Sequence, residues 1–357
     1  MRIFAATSRY IQGAGQLDQL GRHTRELGAH AVLVADAAVL DLLRGRIARS
    51  FADAGVALRV LAFPGEVTHA AIDAMLAPAR AGGADVVVGV GGGKALDAAK
   101  GVARALGVRL VCVPTIASND GPASASIAVY NEQHQMVEVQ QLRRNPDLVL
   151  VDSEVVAQAP LRFFLAGIGD AISKKFEAEA CLKAGALTLF GAHASHTGLM
   201  AAQACYDLIR LHGEAAVEAV REGRVTDEVE SVIEATVLLS TISFENGGLS
   251  VAHAIARGLP YLERARGSLH GAHVAYGLLV QLTLERRPAM VAELAAFYRR
   301  IGLPTRLADL LGAAASAAEF DTLAEQSMQS PSAARFTPAL DAAQLRGAIA
   351  ALEEAGA

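Results

Sequence analysis

A chain of 357 residues, 52% hydrophobic and 19% charged with no tryptophan, is long enough for two domains that each bury a substantial core. Its formal net charge of −5 gives no basic footprint for nucleic acid or for a membrane surface. Three cysteines, Cys112, Cys181 and Cys205, stand in apolar contexts without CxxC spacing, which predicts buried free thiols in a reducing compartment.

The N-terminus, MRIFAATSRYIQGAG, lacks the charged-then-apolar layout of a signal peptide, so a cytoplasmic protein is expected. Over the first 150 or so residues, short β-branched runs alternate with Ala/Leu-periodic stretches. Strands are predicted at 30–36, 57–63, 85–90, 109–114 and 148–152, and helical patterns separate the first four. Uninterrupted Val/Leu/Ile strands between helices imply a parallel sheet covered on both faces. Two further runs, 126–130 and 136–140, are separated by NEQHQ and read as a small hairpin.

After Pro160 the character changes to helical periodicity, with no convincing strand beyond residue 152. The division expected is therefore an α/β nucleotide-binding domain over 1–158 and an all-helical domain over 159–357. Residues 184–206 contain no Asp, Glu, Lys or Arg. Gly185, Gly191, Gly198, His193 and His196 interrupt the stretch, so it reads as a buried core helix at a subunit contact rather than a membrane span.

The segment DVVVGVGGGKALDAAK reads strand, turn, helix. Glycines there let backbone amides approach a phosphate, and the helix start adds partial positive charge; the bland alternative is a simple tight turn. The P-loop pattern fails because Ala95 follows Lys94 and Val88 stands where its first glycine belongs. The GxGxxG pattern fails because Leu96 stands where its last glycine belongs. Asp36, ending the strand VLVAD, is placed to accept from an adenosine ribose hydroxyl, which favours NAD over NADP.

Among ten histidines, His253 lies on an apolar helix face and His270 just ahead of a helix. Each alone is readily a hydrogen-bonded core residue. Asp170 follows two glycines and is expected to open a helix, where an N-cap role would account for it. One Asp and two His with a fourth position open make, chemically, a catalytic zinc site, although nothing in the spacing makes the three converge.

Taken in order, GVGGGKALDAAK, VPTIASNDGPASASIAVY, NPDLVLVDSEVVAQAP, LAGIGDAISKKFEA, SFENGGLSVAHAIARGL and LHGAHVAYGLLVQL resemble the glycerol dehydrogenase branch of the iron/zinc polyol dehydrogenase superfamily, which also includes dehydroquinate synthase. RYIQGAG near the start and FPGE at 63–66 fit as well, so the likeness runs from residue 9 to about 284. It implies a Rossmann-like N-terminal domain, an all-α C-terminal domain and an active site in the cleft between them. Carried onto this chain, Gly91, Gly92, Gly93, Lys94 and Asp97 would hold the cofactor pyrophosphate. Thr115, Ser118, Ser124, Ser126 and Tyr130 would meet the nicotinamide side. Asp170, His253 and His270 would hold one metal ion, Asp120 would contact substrate hydroxyls, and His273 would support a ligand or relay a proton. A homo-oligomer, commonly an octamer, is implied too.

One departure matters. Iron-dependent relatives place a histidine four residues after the metal Asp, where this chain has Lys174. That argues for a three-ligand zinc site over iron. Glycerol dehydrogenases usually carry no charge there, and a lysine is more like the hydroxycarboxylate and glycerol-1-phosphate branches; Asn119-Asp120-Gly121 leans the same way. Otherwise, Lys174 and Lys175 form a solvated pair on a helix surface. The expected activity is NAD- and zinc-dependent oxidation of glycerol to dihydroxyacetone. An anionic substrate is the alternative, ahead of a dehydroquinate synthase-like cyclase.

Overall fold

The computed structural model describes residues 1–132 and 136–355. Contacts divide the chain into an α/β unit, Ala6–Pro160 with Ala219–Ile233, and a helical unit, Met1–Ala5, Leu161–Glu218 and Glu234–Ala357.

In the α/β unit, β1 (Tyr10–Gly13), β2 (His30–Ala35), β3 (Ala57–Ala62), β4 (Val86–Gly91), β5 (Arg109–Pro114) and β8 (Leu148–Asp152) form one six-stranded sheet. Its order is β1-β8-β5-β4-β2-β3 and every pairing is parallel. All six residues of β4 are buried, as the unbroken VVVGVG run requires of a strand covered on both sides. Helices α1 (Leu20–Arg25), α2 (Ala37–Asp53), α3 (His69–Ala81), α4 (Gly93–Leu106) and α5 (Ser153–Gln158) belong to this unit. The five strands read from β-branched runs are present, and β1 is an addition. At four residues, YIQG, it is too short and polar to show alternation, and it exists because it pairs with β8 from Tyr10↔Val149 to Gly13↔Asp152. The hairpin β6 (Ser126–Tyr130) and β7 (Met136–Gln141) is antiparallel as expected; residues 133–135 of its connection lie outside the described residues. Residues 219–233 join this unit through Gln12, whose Nε2 donates to the Glu230 carbonyl at 2.8 Å, and Ser153, whose hydroxyl donates to Glu230 Oε1 at 2.5 Å.

The helical unit holds α6 (Leu161–Ala171), α7 (Lys174–Lys183) and most of α8 (His196–Arg221). After α9 (Asp227–Glu234) it continues with α10 (Ser240–Gly247), α11 (Val251–Gly258) and α12 (His270–Leu284). Four more helices complete it: α13 (Pro288–Ile301), α14 (Leu307–Leu311), α15 (Ala317–Met328) and α16 (Ala342–Ala355).

Three local expectations are corrected. Asp170 does not open a helix but is the next-to-last residue of α6, because the largely apolar stretch LRFFLAGI before it already forms the helix. Residues 184–206 are not one helix: Gly185 and Gly191 take left-handed backbone, an isolated bridge joins Leu187 to His193, and α8 starts only at His196. Lys174 is not half of a solvated pair; it is fully buried, whereas Lys175 bonds Glu179 and Gln203. Cys112, Cys181 and Cys205 are free and buried. No helix among the described residues is long and apolar enough to cross a membrane.

Candidate functional site

In the helical unit, α6 and α12 touch through glycines. A Cβ on Gly271 would fall 1.7 Å from the Ala166 carbonyl oxygen, and one on Gly169 would fall 2.4 Å from the Gly271 carbonyl oxygen. Only glycine permits that approach. It sets Asp170, at the end of α6, beside His270, the first residue of α12. Helix α11 adds His253, whose ring centroid lies 5.4 Å from that of His270. One ligand atom from each of Asp170, His253 and His270 lies within 4.8 Å of the other two. The three residues, 100 positions apart along the chain at the extremes, therefore share one place.

Glu177 orients His253. Its carboxylate accepts from the backbone amides of Ser250 at 2.8 Å and His253 at 3.0 Å, and from the Ser173 hydroxyl at 2.9 Å. It also lies 2.7 Å from His253 Nδ1, which leaves Nε2 turned toward Asp170 Oδ1 at 3.2 Å. Lys174 Nζ stands 2.6 Å from Asp170 Oδ1 and 3.2 Å from His253 Nε2. Asp170 Oδ2 is buried with no hydrogen-bond partner, an uncommon state for a carboxylate oxygen and one that suits a metal ligand. A carboxylate oxygen, two imidazole nitrogens and an open position form the donor set of a catalytic zinc site, so these residues fit such an ion.

The charges are strongly coupled. Burial would raise the pKa of Asp170, but Lys174 and His253 outweigh it and hold the carboxyl far below its usual range. Burial likewise opposes the charge on Glu177, yet His253, Lys174 and the Ser250 amide bring it down to about 2. For His253, burial works against the cation, while Glu177 and Asp170 raise its pKa to about 9. Protein atoms crowd the His270 ring although one side faces solvent; that crowding, assisted by His253 and Lys174, pulls its pKa below the ordinary imidazole value. His273, one turn along α12, is buried with Nε2 3.3 Å from the Ala265 carbonyl, and burial lowers its pKa to about 4.

The glycine turn lies in the α/β unit. The chain leaves β2 for β3 on one side of it and returns to lay β4 on the other, so the sheet's topological switch falls between β2 and β4. Ligands of open α/β sheets bind at such a point, beyond the carboxyl ends of the strands. Asp36 follows β2 and caps α2 by accepting from the Val39 amide at 2.9 Å. Its Oδ2 lies 3.5 Å from where a Cβ on Gly91 would sit, so the acid and the turn are neighbours. Gly91 has φ +148°, Gly92 caps α4, and Gly93 is that helix's first residue. The Thr115 amide donates to the Gly91 carbonyl at 3.1 Å, bringing the end of β5 to the same edge, and Ser118 and Asp120 follow on the loop.

Other predicted cofactor residues are already engaged within this unit. Lys94 Nζ pairs with Glu66 at 2.7 Å and stands 5.1 Å from the centre of the Tyr130 ring. The Asp97 carboxylate accepts from Lys100 at 3.1 Å and from the Ala128 amide at 3.0 Å. Lys100, fully buried, also donates to the carbonyls of Gly121 at 2.7 Å and Ser126 at 2.8 Å, and to the Ser124 hydroxyl at 3.3 Å. Ser126 Oγ accepts from Gln141 at 3.0 Å. Lys100 thus ties Asp97, Ser124 and Ser126 together. Neither it nor Glu177 is marked out by sequence, since DAAK and KKFEAEA read as ordinary solvated helix faces; a charged residue spaced onto the apolar side of each helix is the signal available.

Residues 7–153 match the iron-containing alcohol dehydrogenase family. A glycolaldehyde reductase of Halobacterium salinarum is 39% identical over 309 residues, covering 86% of this chain and 85% of the relative. A glycerol dehydrogenase of Escherichia coli is 39% identical over 310 residues, covering 87% and 84%. The crystal structure of a probable glycerol dehydrogenase from Sinorhizobium meliloti superposes with a TM-score of 0.92 at 39% identity, covering 99% of this chain and 98% of that one. With this fold and this likeness over nearly its whole length, the chain belongs to the iron-containing alcohol dehydrogenase family, in its glycerol dehydrogenase branch.

Proposed function

We propose that this protein oxidises a secondary alcohol of a small polyol, glycerol to dihydroxyacetone, with NAD as hydride acceptor and one zinc ion per chain. The observation that carries the reading is the meeting of Asp170, His253 and His270 around a carboxylate oxygen that has no other partner. Bound zinc would supply a Lewis acid that makes the substrate hydroxyl more acidic, and NAD would take the hydride.

The chain's own residues supply alignment. Asp170, His253 and His270 would hold the ion, with Glu177 fixing which nitrogen His253 presents. The amides at the start of α4, opened by Gly91, Gly92 and Gly93, receive the pyrophosphate, and Asp36 takes the ribose hydroxyl and disfavours a 2′-phosphate. Thr115, Ser118, Ser124, Ser126 and Tyr130 form the nicotinamide side, Asp120 orients a neighbouring substrate hydroxyl, and His273 supports the ligand helix. In this role Lys94 and Asp97 act partly through Glu66 and Lys100. The enzyme works as a cytoplasmic homo-oligomer, an octamer on the family's pattern, with residues 1–158 for the nucleotide and 159–357 for metal and substrate.

The test is NAD⁺ reduction across glycerol, 1,2-propanediol, glycerol 1-phosphate and several 2-hydroxy acids, before and after chelation with the zinc content measured. Glycerol oxidation that disappears with the zinc and returns on its replacement supports the reading. Full activity in protein shown to be metal-free sinks it. A second reading, an anionic substrate, draws on the Lys174 ammonium beside Asp170 and His253. On that reading, Lys174→Ala at matched zinc occupancy raises KM for hydroxy acids or glycerol 1-phosphate and not for glycerol.

A further inference from the structure

We infer that Lys174 is a resident cation of the metal site, whose ammonium competes with the divalent ion for Asp170 and His253 and so sets how tightly the ion is held. The inference rests on the metal reading above and goes beyond it. Lys174 Nζ is fully buried, 2.6 Å from Asp170 Oδ1 and 3.2 Å from His253 Nε2. Because Glu177 takes Nδ1 of His253, Nε2 is the one ring nitrogen that residue has for a metal. The ammonium therefore contacts two of the three ligand residues, at the one ring nitrogen His253 has for the ion and at the Asp170 oxygen beside the partnerless Oδ2.

The competition follows from charge and space together. A divalent ion and an ammonium that share one buried carboxylate repel each other, and little water is present to screen them. An entering ion has to turn the ammonium away from His253 Nε2 while binding Asp170 through its partnerless Oδ2. Lys174 cannot retreat far: it is the first residue of α7, and its Nζ lies 5.9 Å from the centre of the Phe244 ring. Lys175 makes the contrast, since it pairs with Glu179 and Gln203 and reaches no ligand by any of those bonds. Before the ion arrives, the ammonium keeps Asp170 from being an uncompensated buried charge.

Zinc is titrated calorimetrically into the metal-free full-length protein and into its Lys174→Met and Lys174→Gln variants, with Asp170→Asn as the control that removes a ligand. Zinc is expected to bind both lysine variants at least about tenfold more tightly than the parent. Their thermal midpoints are expected to start lower without metal and to rise further on zinc addition. If Lys174→Met does not fold, Lys174→Gln, which is one atom shorter but keeps a neutral hydrogen-bond donor, carries the comparison. Equal or weaker zinc binding in a folded variant overturns the inference and leaves the metal reading intact. Absence of zinc binding in parent and variants alike overturns both.

Discussion

The carboxylate of Glu177 lies 2.7 Å from Nδ1 of His253 and also accepts from that residue's own amide at 3.0 Å, so one side chain fixes both the ring and the backbone of a candidate ligand. Removing its charge frees the ring to rotate and to present either nitrogen. Glu177→Gln is expected to weaken zinc binding by roughly 10- to 100-fold, the usual cost of losing an orienting partner behind a metal ligand. Calorimetric titration checks this, and unchanged affinity would show that His253 is held by packing alone.

Acid should weaken the fold through His273. Its pKa of about 4 in the folded chain lies below the 6.5 of an exposed imidazole, so the unfolded chain binds the extra proton first. Stability is therefore lost as pH falls from 6.5 toward 4, by on the order of 3 kcal/mol. Glu177, at about 2 when folded and 4.5 when free, acts in the same direction at lower pH: its contribution is whole above 4.5 and is lost toward 2. His253 has the opposite sign, because its folded value of about 9 exceeds 6.5; its contribution is whole below 6.5 and vanishes as pH rises through 9. Urea unfolding of chelator-treated protein should show a maximum near pH 6.5 for these groups. Replacing His273 with Leu should make the acid limb between 6.5 and 4 shallower, with His270, also held below the ordinary imidazole value, supplying what remains; an unchanged limb would assign acid sensitivity elsewhere.

Gly93 is the first residue of α4, and a Cβ there would meet only Asn119 Nδ2, at 3.5 Å, an ordinary contact. Gly93→Asp therefore fits the fold and adds a carboxylate where a pyrophosphate is expected. The variant should keep its thermal midpoint while KM for NAD rises by roughly tenfold or more. A normal KM would move the cofactor away from this helix.

Asp36 combines two roles that a single substitution separates. Serine preserves the cap on the Val39 amide but removes the carboxylate beside Gly91. Asp36→Ser is expected to shift the ratio of kcat/KM for NADP over NAD upward by about tenfold with little change in stability. Kinetics with the two cofactors decide it; an unaltered ratio would leave Asp36 as a helix cap only.

By itself the sequence determined the parallel strands, because β-branched runs such as VVVGVG can be buried on two faces only inside a helix-covered sheet. It also determined the glycine turn after β4, since backbone freedom is written directly in residue type. Residue type and spacing showed Asp170, His253 and His270 as chemistry but not as a group, because residues far apart in the chain carry no local signal of contact; only the family resemblance put them together. Tertiary structure alone decided their meeting, through the Gly169 and Gly271 crossing of α6 and α12. The burial of Lys174, Glu177 and Lys100 belongs to the same class, because a charged side chain reads as solvated until its partners are in place, and most of these come from other helices and loops: Asp170 and His253 for Lys174, His253 and Ser250 for Glu177, and the carbonyls of Gly121 and Ser126 for Lys100. The return of residues 219–233 to the α/β unit likewise depends on hydrogen bonds to Glu230 from Gln12 and Ser153, which no periodicity in a helical stretch encodes.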